Sequence, residues 1–534
     1  MRNTPKIGLW VAIVIATFVI SALGALLVNA PSLDISQVWH DPYYRHVTKF
    51  SFYQSFLSTL FSVGLAVPVA HALSRRQFVG KSLLLKLFAT TLVLPVLVGV
   101  FGLLAIYGNS GLLAQLFKSL DSKLPFSIYG LNGILLAHVF FNLPYATRLL
   151  LQALDSIPQE QHKLCAHLGM GHWDKFRWVE WPQLRQQLPH VSGLVFMLCF
   201  TSFATVMALG GGPKSTTIEL AIYQAIKFDF DLQAGALLAI WQMMLCGVMA
   251  LAIQRLAKPM SVTSGSQTHL VYLSKDCFTS KCWDWLWIGA AMLLVLPPLL
   301  MVMLSGINGH AIDVFTDARF WHALWASIKV ATMASVIAVI AGVAILLTSR
   351  RLRLNYREKS ADHIELIGTI ILVTPGLVIS TGLFLLLRSL TDVFSLALVV
   401  VVAVNALMGL PYVIKTLSQP MLHVEQQYQY VCASLGMKGW SRFKVVEWQA
   451  LKKPIAHAFA ISFMFAIGDL SAIALFGSQE FRTLPLYLFQ LLGSYQMESA
   501  AVVSVTLLLL SVGCFTLIET LLKANSKVNH ADFK

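Results

Sequence analysis

The chain carries one nineteen-residue signature twice, at a separation of half its 534-residue length. The first copy reads AHLGMGHWDKFRWVEWPQL from Ala166, and the second reads ASLGMKGWSRFKVVEWQAL from Ala433. A shift of 267 lays Leu168 on Leu435, Gly169 on Gly436, Trp173 on Trp440, Phe176 on Phe443, Glu180 on Glu447 and Trp181 on Trp448 without a gap. The same shift carries Pro144 and Tyr145 onto Pro411 and Tyr412, and Thr216 onto Thr483, so the duplication extends beyond the signature. A duplicated chain must fold as two copies of one unit.

The medium of that fold follows from composition. Only 12% of residues are charged, against about a quarter in soluble domains, and 57% are hydrophobic with a mean hydropathy of +0.70. About 20 apolar residues cross a bilayer core. Six spans are expected near residues 8–29, 51–73, 84–107, 131–151, 190–211 and 233–254, and six more near 286–305, 325–348, 365–388, 393–417, 456–477 and 498–522. The fold class is an all-α integral membrane protein of about twelve helices in two homologous halves. The divisions are 1–257, a polar linker 258–284, and 285–534, with repeated loops at 155–188 and 420–454.

Basic residues set the orientation, because positively charged short loops resist translocation. With both termini cytoplasmic, about 29 of the 39 Lys and Arg face the cytoplasm. The net charge of +14 is thereby a topology signal and gives no ground for a nucleic-acid partner. The apolar run ending at Ala30 exceeds a secretory h-region and reads as a retained first span. Seven scattered cysteines supply no disulfide framework, and Cys277 with Cys282 lacks the second ligand pair of a zinc site. No metal and no catalytic group is expected.

Each repeated loop is expected to hold a short helix ended by Gly169 or Gly436 in a left-handed cap. A second helix follows, on which Trp173, Phe176 and Val179, like Trp440, Phe443 and Val446, form an apolar stripe beside polar Lys175 and Arg177. One such helix alone reads equally well as a lipid-surface element. Two at equivalent places are what a twofold partner could grip.

The step from Gly169 to Val179 and Pro182 resembles the cytoplasmic loop of ABC importer permeases, where an aliphatic residue follows the glycine by ten positions and a proline by thirteen. The second copy keeps Gly436 and Val446 but has Gln449 at the proline position, and neither copy has the family's Glu-Ala-Ala opening. The stretches LAHVFFNLP from Leu136, RWVEWP from Arg177, LGGGPKSTTIELAIYQA from Leu209 and GWSRFKVVE from Gly439 are most similar to the fused permeases of thiamine and thiamine diphosphate importers. This resemblance implies a type I permease fold in a bacterial inner membrane. It further implies a periplasmic substrate-binding protein and a separate ATPase dimer that carries ATP and Mg and docks on the loops. Gly169, Trp173, Phe176, Glu180, Pro182, Gly436, Trp440, Phe443 and Glu447 are the expected coupling residues. Ferric iron is the alternative cargo. A proton-coupled carrier of twelve spans is the alternative mechanism, and a membrane enzyme ranks last.

No phosphate-binding loop stands in the chain, since Gly80-Lys81-Ser82 has Arg75 where the upstream glycine belongs. Polar residues within spans mark paths or interhelical bonds. His138 and Asn405, equivalent and each six residues before a proline, admit both readings. Asp469, the counterpart of Ser202, requires a water-filled path or a basic partner, and an anion there would favour a cationic thiazolium. Phe200 and Phe203 could stack on such a ring or simply pack. Gly210-Gly211-Gly212-Pro213-Lys214 reads as a turn or as an anion-binding nest.

Overall fold

A computed structural model describes residues 6–29, 35–122, 125–256, 278–369, 371, 374–388, 392–437 and 439–531. Among them there are helices and no strands. The main helices of the first half are α1 (Ile7–Asn29), α2 (Pro42–Arg75), α3 (Val96–Tyr107), α4 (Leu131–Asp155), α5 (Trp181–Phe200) and α6 (Leu232–Leu256). Those of the second half are α7 (Phe278–Ser305), α8 (Ala318–Leu354), α9 (Gly376–Arg388), α10 (Ala397–Ser434), α11 (Trp448–Gly468) and α12 (Met497–Ala531).

Among the described residues, ten helices are long and apolar enough to cross a bilayer, and an eleventh span, continuous with α5, bends by 53° into Phe203–Leu209. The expected span at 365–388 is instead two shorter helices, Glu358–Thr369 and α9, with Pro375 at the start of the second. Its counterpart at 84–107 breaks at Pro95 in the same way, because proline lacks the amide that would continue the helix. Of the expected linker, residues to 277 lie outside those described, and Phe278 already opens α7. Cys277 lies outside them too, and Cys282 is exposed.

The duplication is visible in the caps. Asp41 accepts the Tyr43 amide at 2.7 Å and Asp317 accepts the Arg319 amide at 2.8 Å, so α2 and α8 start alike. Ser51 Oγ receives the Ile218 amide and Ser327 Oγ the Leu484 amide, at 3.0 and 2.7 Å, pinning the short helices Ile218–Lys227 and Leu484–Gly493 to α2 and α8. These pairs follow a shift of 276 on the long helices, not 267. Unequal connections between the halves hid this part of the repeat from a gapless comparison.

The halves exchange their first helices. α1 packs on α8 and α9, while α7 packs on α2 and α3. Equivalent glycines admit the visitors: a Cβ at Gly102 would stand 2.5 Å from the Pro298 carbonyl oxygen of α7, and one at Gly382 would stand 2.3 Å from the Ala22 carbonyl oxygen of α1. Backbone meets backbone at both crossings, as small residues allow inside membranes. At the end of α2, Arg76 Nε lies 2.7 Å from the fully buried Asp284 of α7, and Arg75 also reaches Asp284 and Ser280. A charge on α7 is thereby neutralised by the other half.

Candidate functional site

Both repeated loops stand at the same end of the bundle, where α2 and α8 finish in arginines. In the first, helix Gln159–His167 closes with Gly169 at φ +61°, and the Met170 amide returns to the Cys165 carbonyl at 3.0 Å. In the second, Gly436 has φ +64° and the Met437 amide returns to Cys432 at 2.9 Å. This is the expected left-handed cap, a conformation that a Cβ makes costly.

The chain then re-enters helix at His172–Lys175 or Gly439–Arg442 and passes through one wide turn, Phe176–Glu180 or Phe443–Glu447, into α5 or α11. Such wide turns in helices are uncommon and frequent at functional places. Phe176 faces Trp181 at 6.0 Å and Phe443 faces Trp448 at 6.1 Å. The side chain of Trp440 lies outside the described residues.

The wide turn changes which residues are buried. Of the expected apolar stripe, Phe176 and Val179 pack against the bundle while Trp173 is exposed, and Lys175, expected to be polar, is buried. A single pitch of 3.6 residues cannot describe a segment that widens midway. Pro182 and Arg177 are exposed. Leu168 and Leu435 are both 68% exposed, beside exposed Trp178, Val445 and Trp448. Each loop therefore offers apolar area to a partner.

Glu180 and Glu447 are buried and fix the loops to the bundle. Glu180 Oε2 lies 2.8 Å from His71 Nε2 on α2, and Oε1 lies 3.4 Å from Lys175 Nζ. Burial raises the Glu180 carboxyl, but the His71 hydrogen bond and the neighbouring positive groups outweigh it and hold it below its ordinary range. Phe176 meets the His71 ring edge-on at 4.9 Å. In the second half, Glu447 Oε1 lies 2.8 Å from Arg350 on α8 and 3.2 Å from Arg442 Nε. Glu425 Oε2 lies 3.3 Å from Arg350 and 2.5 Å from Arg442, closing a ring of two carboxylates and two guanidiniums. His71, Lys175, Arg350, Glu425 and Arg442 escaped the sequence reading. The repetition of an acid within a basic, Trp-rich segment was the available signal.

Within the spans, His138 of α4 is held between two hydroxyls: Nδ1 is 2.8 Å from Ser58 Oγ on α2, and Nε2 is 2.8 Å from Ser202 Oγ at the break after α5. This is an interhelical bond. Asn405 is equally buried on α10, and its Oδ1 has no hydrogen-bond partner. Asp469 takes neither a lysine nor an arginine. It accepts the Ser471 hydroxyl at 2.7 Å and the Ser471 and Ala472 amides at 3.2 and 3.3 Å, capping the short helix Ser471–Phe476. The helix end supplies the positive partial charge that the sequence reading sought in a side chain. Phe200 is buried against Phe52 and Phe196, and Phe203 against Tyr223. Gly211 and Gly212 have positive φ and lead into the short turn Pro213–Ser215.

Two glycine-capped loops on a duplicated helical bundle with exchanged first helices define the membrane component of a binding-protein-dependent transporter. The profile of the family "Binding-protein-dependent transport system inner membrane component" matches residues 49–260 and 351–525, and the chain belongs to that family. It is 47% identical over 526 residues to the thiamine transport system permease protein ThiP of Salmonella typhimurium, covering 98% of this chain and 97% of that protein. The proteins of the same name from Escherichia coli and Haemophilus influenzae are 48% and 40% identical, across 97% and 95% of this chain and 96% and 95% of their own lengths.

Proposed function

We propose that the chain is the transmembrane permease of an ATP-driven thiamine importer, passing thiamine and its phosphates inward across the bacterial inner membrane. The observation that carries this reading is the pair of anchored loops in a chain whose relatives, similar along nearly their whole length, bear the name of thiamine transport permeases. A separate ATPase dimer, with its ATP and Mg, seats on the exposed faces around Leu168, Trp173, Trp178, Leu435 and Trp448. A periplasmic binding protein delivers cargo to the opposite end. The termini are cytoplasmic, and the halves 1–257 and 285–534 act as one pseudo-twofold machine.

Force enters at the loops and leaves through α2 and α8, because Glu180 and Glu447 join each loop to the end of a helix that runs the full depth of the bundle. Nucleotide state and cargo each favour a different arrangement of the halves, as population shift requires. His138 of α4 bonds to the break after α5 and Asp469 stands at the break after α11, where such a movement would pass, with Asn405 buried at the equivalent position of α10. The test is hydrolysis by the ATPase assembled with this chain and the binding protein. Thiamine should stimulate it, and stimulation should require all three proteins.

A further inference from the structure

A groove of about 670 Å³ opens on the lipid-facing side between α2 and α6, at the end remote from the loops. Its walls are two parallel stripes: Lys49, Tyr53 and Phe56 descend α2 at helical spacing, and Trp241, Leu245 and Met249 descend α6. Its lining is almost wholly apolar below Lys49. Tyr53 and Phe56 are more than half exposed, so protein does not fill it. Trp241 is held in place, donating to Thr48 Oγ1 at 3.2 Å with Trp39 6.4 Å away.

Depth identifies what can occupy the groove. At 1.5 Å per residue, the roughly 30 Å hydrocarbon layer takes about 20 residues of a helix. Counted from the polar end of α2 at Arg75, that layer ends near Ser55. Lys49 then sits about 9 Å further out, at headgroup level, while Phe56 lies at the edge of the hydrocarbon and Leu245 and Met249 within it. Arg45 follows Lys49 by another turn on the same helix face and is exposed. Asp41, Asp229 and Asp231, the acids that act on Tyr43 and Tyr44, line no part of the groove. A cation above an open apolar groove suits a phospholipid, and its charge favours one of net negative charge.

We propose that this groove is a specific site for an anionic phospholipid, with the phosphodiester at Lys49 and one acyl chain between the α2 and α6 stripes. An aromatic belt alone would favour the interface without distinguishing headgroup charge.

The test is native mass spectrometry of the full-length chain released from nanodiscs of equal parts phosphatidylglycerol and phosphatidylcholine. One phosphatidylglycerol should be retained about fivefold over phosphatidylcholine, the ratio that one basic residue at the surface supplies. Lys49→Ala should abolish the preference, Lys49→Arg should keep it, and Lys118→Ala, an exposed lysine elsewhere at this end, should leave it unchanged. Met249→Trp, which fills the groove below an intact Lys49, should lower retention of both lipids. Equal retention of the two lipids by the unaltered chain would overturn the proposal without recourse to any variant. So would a preference that survives Lys49→Ala.

Discussion

Glu447 stands 2.8 Å from Arg350, and together they bind the second loop to the end of α8; the equivalent Glu180 makes the same attachment to α2 through His71. The tie is conserved between the halves while its chemistry differs. Arginine carries a permanent charge, whereas the histidine joins as donor and ring.

That difference orders two substitutions. Glu447→Gln leaves Arg350, with a side chain 3% exposed, facing one carboxylate fewer, and removing one partner of a buried ion pair costs about 3 kcal/mol. Glu180→Gln retains a hydrogen-bond acceptor for His71 but takes the carboxylate from buried Lys175, 3.4 Å away, and should cost about 2 kcal/mol. Thermal unfolding in detergent should show the larger fall for Glu447→Gln. Equal falls would contradict the assignment of these anchors.

The loop helix Gln159–His167 should weaken in mild acid. Both ring nitrogens of His162 are buried without partners, and burial, reinforced by Lys175, lowers its pKa. The unfolded ring takes up its proton at about pH 6.5 while the folded ring resists, so stability is full above that value and falls as pH drops below it. Hydrogen exchange of Lys163 to His167 at pH 7.5 and 5.5 should show faster opening at the lower pH, and His162→Leu should remove most of the difference.

Gly436→Val should uncouple transport while the protein still inserts. Open space surrounds the position, so the cost is the left-handed backbone itself, about 1–2 kcal/mol. Gly436→Asn, which tolerates that backbone better, should keep most ATP-driven uptake. Normal uptake by Gly436→Val would exclude this turn as a coupling element.

Replacing His138 by Phe strands Ser58 and Ser202, the hydroxyls of α2 and of the break after α5. Ser58 is fully buried and Ser202 half-buried, so the loss is about 1–3 kcal/mol, most of it at Ser58. His138→Asn, the residue at the equivalent position 405, should be milder, and the midpoint of thermal unfolding separates the two variants.

Repetition and hydropathy made the duplicated helical bundle, the placement of its spans and the glycine turns legible in the sequence. They did not reveal the breaks at Pro95 and Pro375, because hydropathy averages over a kink that a missing amide creates. The exchange of α1 and α7 was equally hidden, since Gly102 and Gly382 gain meaning only from the carbonyls that approach them. Asp469 showed the limit of side-chain reasoning: its partner is a helix end, which no residue type announces. The burial of Lys175 was missed because the buried carboxylate it faces, Glu180 at 3.4 Å, comes within reach only in the folded loop.

The most direct measurement is uptake of labelled thiamine into proteoliposomes holding this chain with its ATPase and binding protein. The account predicts accumulation that requires ATP and all three proteins, and that fails for Gly436→Val. Thiamine uptake by this chain alone, driven by a proton gradient and indifferent to ATP, would contradict it.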